Sequence, residues 1–296
     1  MSNSVKAPPR RRGYRLSIAI PASLVSDTPH LREKTLKIGL VGRAAAIFRV
    51  DEIVIYPDQL DSSQREDINL IATILSYMET PQYLRRRLFK LDPKLRYVGV
   101  LPPLRTPHHP LIHQPESLVP GAYREGVVIS SRKGGSMVYV GVKRPVWIPN
   151  IRLPVGVRVT VKLTEVGRRL QGVLAERDEI QTYWGYRVTV ADATIGRWVR
   201  SREFDLVIAT SRYGAPITEL MDRLEGRLKT SHRVLVMFGA PAQGLFDILA
   251  AEGLKLEEVA HFVVNTVPHQ GVETVRTEEA IYATLAILNL LGDGAG

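Results

Sequence analysis

Apolar positions along the chain follow two rhythms, one near every second residue and one near every third or fourth, and the switches between them predict the elements. "YRLSIAIPASL" from Tyr14 is β-rich, "HLREKTLKIGLVGRAAAIFRV" from His30 carries helical spacing, and "DEIVIYPD" from Asp51 is a short buried strand. Together they make a βαβ unit. "SSQREDINLIATILSYMETPQYLRRRLF" then reads as a helix capped by Ser62 or Ser63, with a second short helix starting at Pro81.

The rhythm breaks in the Pro-dense stretch "YVGVLPPLRTPHHPLIHQPESLVPGAYREG". Short alternating runs follow, "GVVISS", "SMVYVGV", "VWIP", "RVTVKLTEV" and "LQGVLAERDEI", punctuated by Gly and Pro as in a small β-barrel or sandwich. After "YWGYRVTVADATIGRWVRS" the α/β alternation returns three times, in "FDLVIATSRYGAPI", "HRVLVMFGAPAQGLFDILAAEG" and "AHFVVNTVPHQGVETVRTEEAIYATLAIL". The pattern therefore predicts one doubly wound α/β domain from residues 14–104 and 184–296. An inserted β domain occupies 105–183, and a basic arm at 1–13 precedes both.

Composition narrows the partners. The chain of 296 residues carries a formal net charge of +10, and its Lys and Arg cluster at Arg10–Arg12, Arg85–Arg87, Arg132–Lys133, Lys143–Arg144 and Arg168–Arg169. Clustered positive charge concentrates phosphates, so a nucleic acid is the expected partner, and the inserted β domain holds about twice as many basic as acidic residues. The absence of Cys excludes disulfides, thiolate catalysis, Fe–S clusters and Cys-based zinc sites. No apolar run reaches the ~18 residues of a membrane span, and the basic start lacks a signal-peptide core, so a cytoplasmic protein without membrane attachment is expected. His108, His109 and His113 lie among prolines without a zinc-like spacing, so no metal is expected. Trp147, Trp184 and Trp198 are either base-stacking platforms or core packing.

Three consecutive α/β strands end in small-residue segments: Thr210-Ser211-Arg212-Tyr213-Gly214, Phe238 through Gly244, and Asn265 through Gly271. Ligands of parallel sheets bind beyond the carboxyl ends of the strands, so the three segments would line one pocket, although none is a Walker or GxGxxG loop.

These segments, and above all "NTVPHQGVETVRTEEAIYATLAIL", resemble the SPOUT superfamily of RNA methyltransferases. With "RLSIAIP" and "VDEIVIYPD", the likeness extends over nearly the whole chain and is closest to the RNA uridine N3-methyltransferase group with an inserted OB-like barrel. The resemblance implies a C-terminal trefoil knot whose crossing loop, Asn265 to Thr277, holds S-adenosyl-L-methionine through main-chain groups. Cofactor contacts would then come from Thr210, Ser211, Gly214, Phe238, Gly239, Gly244, Asn265, Thr266, Val267, Gln270, Gly271, Thr274 and Thr277. Gly271 would supply a positive φ or close approach, Pro268 would stiffen the turn, and Thr277 with Glu278 and Glu279 would open the last helix.

"KIGLVGRAAAIFRVDEIVIYP" is similar to the first motif of the SpoU-type branch, with Arg43 at that motif's Arg and Lys37 in place of its Asn. Arg43 or Arg212 would stabilise the anion that develops on a uridine as N3–H is lost, and Glu273 or Glu278 would accept the proton. The resemblance further implies large-subunit ribosomal RNA as substrate and a homodimer; the apolar helix Ile281 to Leu291 is either its dimer face or buried inside the monomer. A ribose 2′-O-methyltransferase and a non-catalytic ribosome-assembly factor are the alternatives.

Overall fold

A computed structural model describes residues 8–111 and 114–292, which excludes His113 and the first half of the basic arm. In chain order the elements are β1 (Arg15–Pro21), α1 (Leu31–Ile47), β2 (Glu52–Tyr56), α2 (Arg65–Glu79) and α3 (Gln82–Leu88). Next come β3 (Tyr123–Arg132), β4 (Gly135–Tyr139), β5 (Val146–Pro149), β6 (Arg158–Val166) and β7 (Leu170–Leu174). The chain ends with β8 (Arg187–Val190), α4 (Ile195–Arg200), β9 (Leu206–Pro216), α5 (Ile217–Thr230), β10 (Arg233–Met237), α6 (Leu245–Ala251), β11 (Phe262–Asn265) and α7 (Thr277–Gly292). Two compact units result: of the described residues, one holds 12–78, 94–102 and 186–292, the other 8–11, 79–93, 103–111 and 114–185.

The first unit is a six-stranded sheet in the order β11-β9-β10-β1-β2-β8, parallel throughout. Its central strands are buried on both faces, which is why they read as unbroken apolar runs. Alternate residues Ala19, Val54, Val207, Leu235 and Met237 share a core with Trp198 of α4 and Leu249 of α6. The opposite set, including Ile18, Ile53, Ile208 and Val236, is fully buried on the other face, the side left for α1, α5 and α7. The α1 and α7 helices run side by side in the same direction: Lys37, midway along α1, meets Glu278 at the start of α7, and Arg49, just past the end of α1, donates to Asn289 near the end of α7 at 2.9 Å.

α2 begins at Arg65, so the residue ahead of its first turn is Gln64 rather than Ser62 or Ser63. The side chain of Gln64 instead ties down the approach, accepting from the N–H groups of Asp58 and Gln59 at 2.9 and 3.1 Å.

The second unit is a closed five-stranded barrel, β3-β4-β5-β7-β6, around Val128, Val138, Val146, Ile148, Val161 and Leu163. The barrel unit takes in more of the chain than 105–183, because α3 and its flanks belong to it. A buried ionic network explains the attachment. Arg158 donates from Nη1 to Glu79 Oε2 at 2.6 Å and from Nε to Glu125 Oε2 at 2.6 Å, while Arg177 reaches Glu79 Oε1 at 2.9 Å. Burial alone would raise the Glu79 carboxyl, but Arg158, His108 and Arg177 hold it well below the usual carboxylate range.

His108 and His109 both turn to the Glu79 main-chain oxygen, at 2.9 and 2.6 Å. Burial and the neighbouring His108 push His109 down to about 3, so it stays neutral. Trp184 is buried and donates to Glu125 at 2.7 Å, and Trp198 is buried in the sheet core; only Trp147 of the three is half-exposed.

Candidate functional site

Three strand ends meet at one edge of the parallel sheet. Ala209 pairs with Val263 and Ala215 with Val264, so β9 accommodates all of Thr210 to Gly214 while β11 advances a single residue. What reads in sequence as a loop between strand and helix is thus an outsized bulge within β9, which resumes pairing and runs directly into α5. Gly214 is required there: a Cβ would come within 2.7 Å of the backbone of Val263 and Val264.

The bulge is sewn to both neighbouring segments. Thr210 Oγ1 donates to the Met237 carbonyl at 3.0 Å, at the end of β10. Asn265 Nδ2 donates to the Arg212 carbonyl at 3.1 Å, and its Oδ1 accepts from the Val267 N–H at 3.0 Å, turning the chain back after β11. Arg212 reaches the Glu273 carbonyl at 3.3 Å and lies over the Tyr213 ring at 4.8 Å. Ser211 Oγ accepts from the Tyr213 N–H at 3.1 Å.

The segment after β10 is held from below. Phe238 is buried; its N–H continues the ladder to Ala19 at 3.0 Å, and its carbonyl accepts from the buried Tyr56 hydroxyl at 2.6 Å. Ala240 N–H closes a turn on the Gln243 carbonyl at 2.9 Å, leaving Gly239 just ahead of the turn and Gly244 exposed at the start of α6. Tyr56 could not have been singled out from its sequence position, since only the tertiary fold brings β2 beneath Phe238.

The last segment joins the other two. Thr277 is buried, and its hydroxyl donates to the Gly239 carbonyl at 3.0 Å, so it ties α7 to the β10 segment and does not cap the helix. Capping falls instead to Glu279, whose Oε2 accepts from the Arg276 N–H at 2.9 Å. Thr266 and Thr284 share a hydrogen bond at 2.8 Å, and Gln270 Nε2 donates to the carbonyls of Val272 and Glu273 at 2.8 and 2.9 Å. Thr274 and the Glu273 side chain are exposed at the rim. Gly271 does not supply the expected positive φ; the left-handed residue of the loop is His269, at φ 58°, and no protein atom lies within 4 Å of a Cβ built on Gly271.

Lys37 and Glu278, far apart in sequence, meet in the structure. Lys37 is buried in α1 and donates to both carboxylate oxygens of Asp27, at 2.8 and 2.9 Å, with Glu278 Oε2 at 3.7 Å. That Glu278 oxygen has no hydrogen-bond partner, and burial pushes its carboxyl up from the usual range. Arg43, two turns along α1, is half-buried beside Tyr282, more than a turn of α7 beyond Thr277. The structure therefore brings Arg212 and Glu273 to the converging segments and places Arg43 on the α1–α7 face.

The converging segments present carbonyls, amides, hydroxyls and one guanidinium, a neutral-to-basic set suited to an uncharged heterocycle or an anion. Comparison with known proteins fits this chemistry. Residues 15–288 match the family described as "Putative RNA methyltransferase", and the chain belongs to that family of enzymes. It is 35% identical to an uncharacterized protein of Haloarcula marismortui, over 93% of this chain and 98% of that one. It is also similar to the 28S rRNA (uridine-N(3))-methyltransferase of Homo sapiens, at 33% identity over 94% of this chain and 79% of the human one. The Drosophila melanogaster protein of the same name is 33% identical over 97% of this chain, which spans 64% of the fly protein's length. No helix among the described residues is long and apolar enough to cross a membrane.

Proposed function

We propose that this methyltransferase transfers a methyl group from S-adenosyl-L-methionine to N3 of a uridine in large-subunit ribosomal RNA. The observation that carries the reading is the stitching of three strand ends into one ring of main-chain groups, through Thr210–Met237, Asn265–Arg212 and Thr277–Gly239. Such a ring suits a cofactor whose adenine edge and amino-acid end are recognised by backbone donors and acceptors. The residues proposed to hold it are Thr210, Ser211, Gly214, Phe238, Gly239, Gly244, Asn265, Thr266, Val267, Gln270, Gly271, Thr274 and Thr277. The segment Asn265 to Thr277 would be the crossing of a trefoil knot, and the barrel would be OB-like and bind RNA.

The cofactor supplies a sulfonium methyl group. In the transfer, the N3–H proton leaves to a base, N3 forms the new bond to the methyl carbon and the C–S bond breaks. A uridine N3–H is weakly acidic, so a cation beside O2 or O4 lowers the cost of forming the anion; Arg212 or Arg43 fills that role, and Glu273 or Glu278 takes the proton.

The proposed assembly is a homodimer. Ile281, Leu285, Leu288 and Leu291 of α7 are buried within the monomer, so α7 offers mainly Leu290, 76% exposed, whereas Leu36, Leu40 and Ile47 are 41, 46 and 48% exposed on the stripe of α1 that includes Arg43. Covering such a stripe removes apolar surface from water and would place Arg43 at the subunit boundary. Incubating the protein with ribosomal RNA and methyl-tritiated cofactor tests the reading: tritium retained on RNA supports it, and tritium retained only as free cofactor overturns it.

A further inference from the structure

Two aromatic side chains stand on the outer face of the barrel, each with a guanidinium over its ring. Trp147 of β5 pairs with Met137 of β4, and Tyr139 lies two residues beyond Met137, so Trp147 and Tyr139 project from the same face as diagonal neighbours. Such neighbours are about 7–8 Å apart. Arg132, at the end of β3, places its Cζ 5.2 Å from the Trp147 ring centroid, and Arg87, from α3, places its Cζ 4.5 Å from that of Tyr139.

Both rings are positioned from beneath. A Cβ on Gly135 would come within 2.6 Å of Trp147 Cζ2, so the indole lies directly on the β4 backbone. Tyr139 meets Tyr83 edge-on at 6.3 Å, and Tyr83 in turn lies flat on Gly141, where a Cβ would come within 2.7 Å of the ring. Glycine is needed at Gly141 also for its φ of +88°. These rings are half-exposed although each has a rigid seat, whereas Trp184 and Trp198 are buried. Arg86 and Lys133, the chain neighbours of Arg87 and Arg132, are exposed, and Glu165, which pairs with Gln171 on the adjoining ladder, is engaged by that side chain at 2.6 Å.

We infer that Trp147 and Tyr139, with Arg132 and Arg87, form a stacking platform for two neighbouring unpaired bases of single-stranded RNA. This rests on the reading of the chain as an RNA-modifying enzyme and assigns its RNA contact to one face. Bases stack on aromatic rings and on guanidinium planes alike, and arginines at the rim also meet the phosphates between stacked bases. The geometry makes α3 part of that contact, which gives a role to the run Arg85–Arg87, since Arg85 turns inward to the Thr80 carbonyl at 2.9 Å while Arg86 and Arg87 face outward.

The test is titration of the full-length protein with a labelled single-stranded RNA of about 12 nucleotides, within the range of one barrel's site. Stacking on Trp147 predicts quenching of tryptophan fluorescence, lost in Trp147→Leu. Each of Trp147→Leu and Tyr139→Leu weakens affinity about tenfold, Trp147→Phe restores most of it, and Arg87→Ala and Arg132→Ala each lower the salt slope by about 1. If Trp147→Leu disrupts the barrel by circular dichroism, Tyr139→Leu, Trp147→Phe and the arginine variants carry the same test. Wild-type RNA affinity in these variants, or equal competition by duplex RNA, overturns the platform. A wild-type chain that binds no single-stranded RNA overturns both the platform and the wider reading.

Discussion

Lys37 of α1 and Glu278 of α7 face each other at 3.7 Å with more than nine-tenths of each side chain buried. The lysine is shared with Asp27, which satisfies it at 2.8 Å, so Glu278 retains an oxygen without a hydrogen bond immediately beside the converging strand ends. An acid in that setting favours the neutral form.

The folded-state value of Glu278 is raised, so between its unfolded and folded values the native chain binds more protons than the unfolded one, and stability falls as pH rises through that window. Glu278→Gln removes the titration. The stability of the variant relative to wild type is expected to improve from pH 4 toward pH 8 in urea unfolding. A difference that stays constant with pH would contradict the burial argument.

Glu79 has the opposite sign. Its folded value lies well below the unfolded one, so its contribution is present above the unfolded carboxylate value and is lost as pH falls through the folded one. Glu79→Gln leaves Arg158 and Arg177 without their shared partner and is expected to cost about 3 kcal/mol near neutral pH, with a smaller difference in acid. Thermal melting at several pH values measures both.

Gly214→Ala places a methyl group against the backbone of β11 at 2.7 Å, and backbone cannot swing aside as a side chain can. The expected loss is about 1–3 kcal/mol, with weakened binding of S-adenosyl-L-methionine by calorimetry. Gly271→Ala, in open space, is expected to leave stability unchanged.

The sequence made the alternation of the sheet and the barrel strands legible, because burial on both faces and burial on one leave different spacings in sequence. It misread details that tertiary contacts decide. Thr210 to Gly214 looked like a loop since no local pattern reveals that β9 resumes pairing at Ala215. Thr277 looked like a cap since its hydroxyl partner, Gly239, is distant in sequence. α3 was read with the α/β elements; its one buried position, Leu84, carries no mark of which unit it faces. Of the candidate site, "NTVPHQG" stood out through its residue types, whereas the Lys37–Glu278 pairing needed the parallel packing of α1 on α7.

Arg43→Ala, together with Leu40→Asp on the same helix face, separates chemistry from assembly. Arg43→Ala is expected to abolish methyl transfer with cofactor affinity unchanged, and Leu40→Asp to yield a monomer by sedimentation velocity. Full turnover in Arg43→Ala would remove that arginine from the reaction.

The most direct measurement is mass spectrometry of nucleosides digested from ribosomal RNA after incubation with the protein and isotopically labelled S-adenosyl-L-methionine. The account predicts the label on N3-methyluridine. Label on a ribose 2′-oxygen, on another base, or on no nucleoside would contradict it.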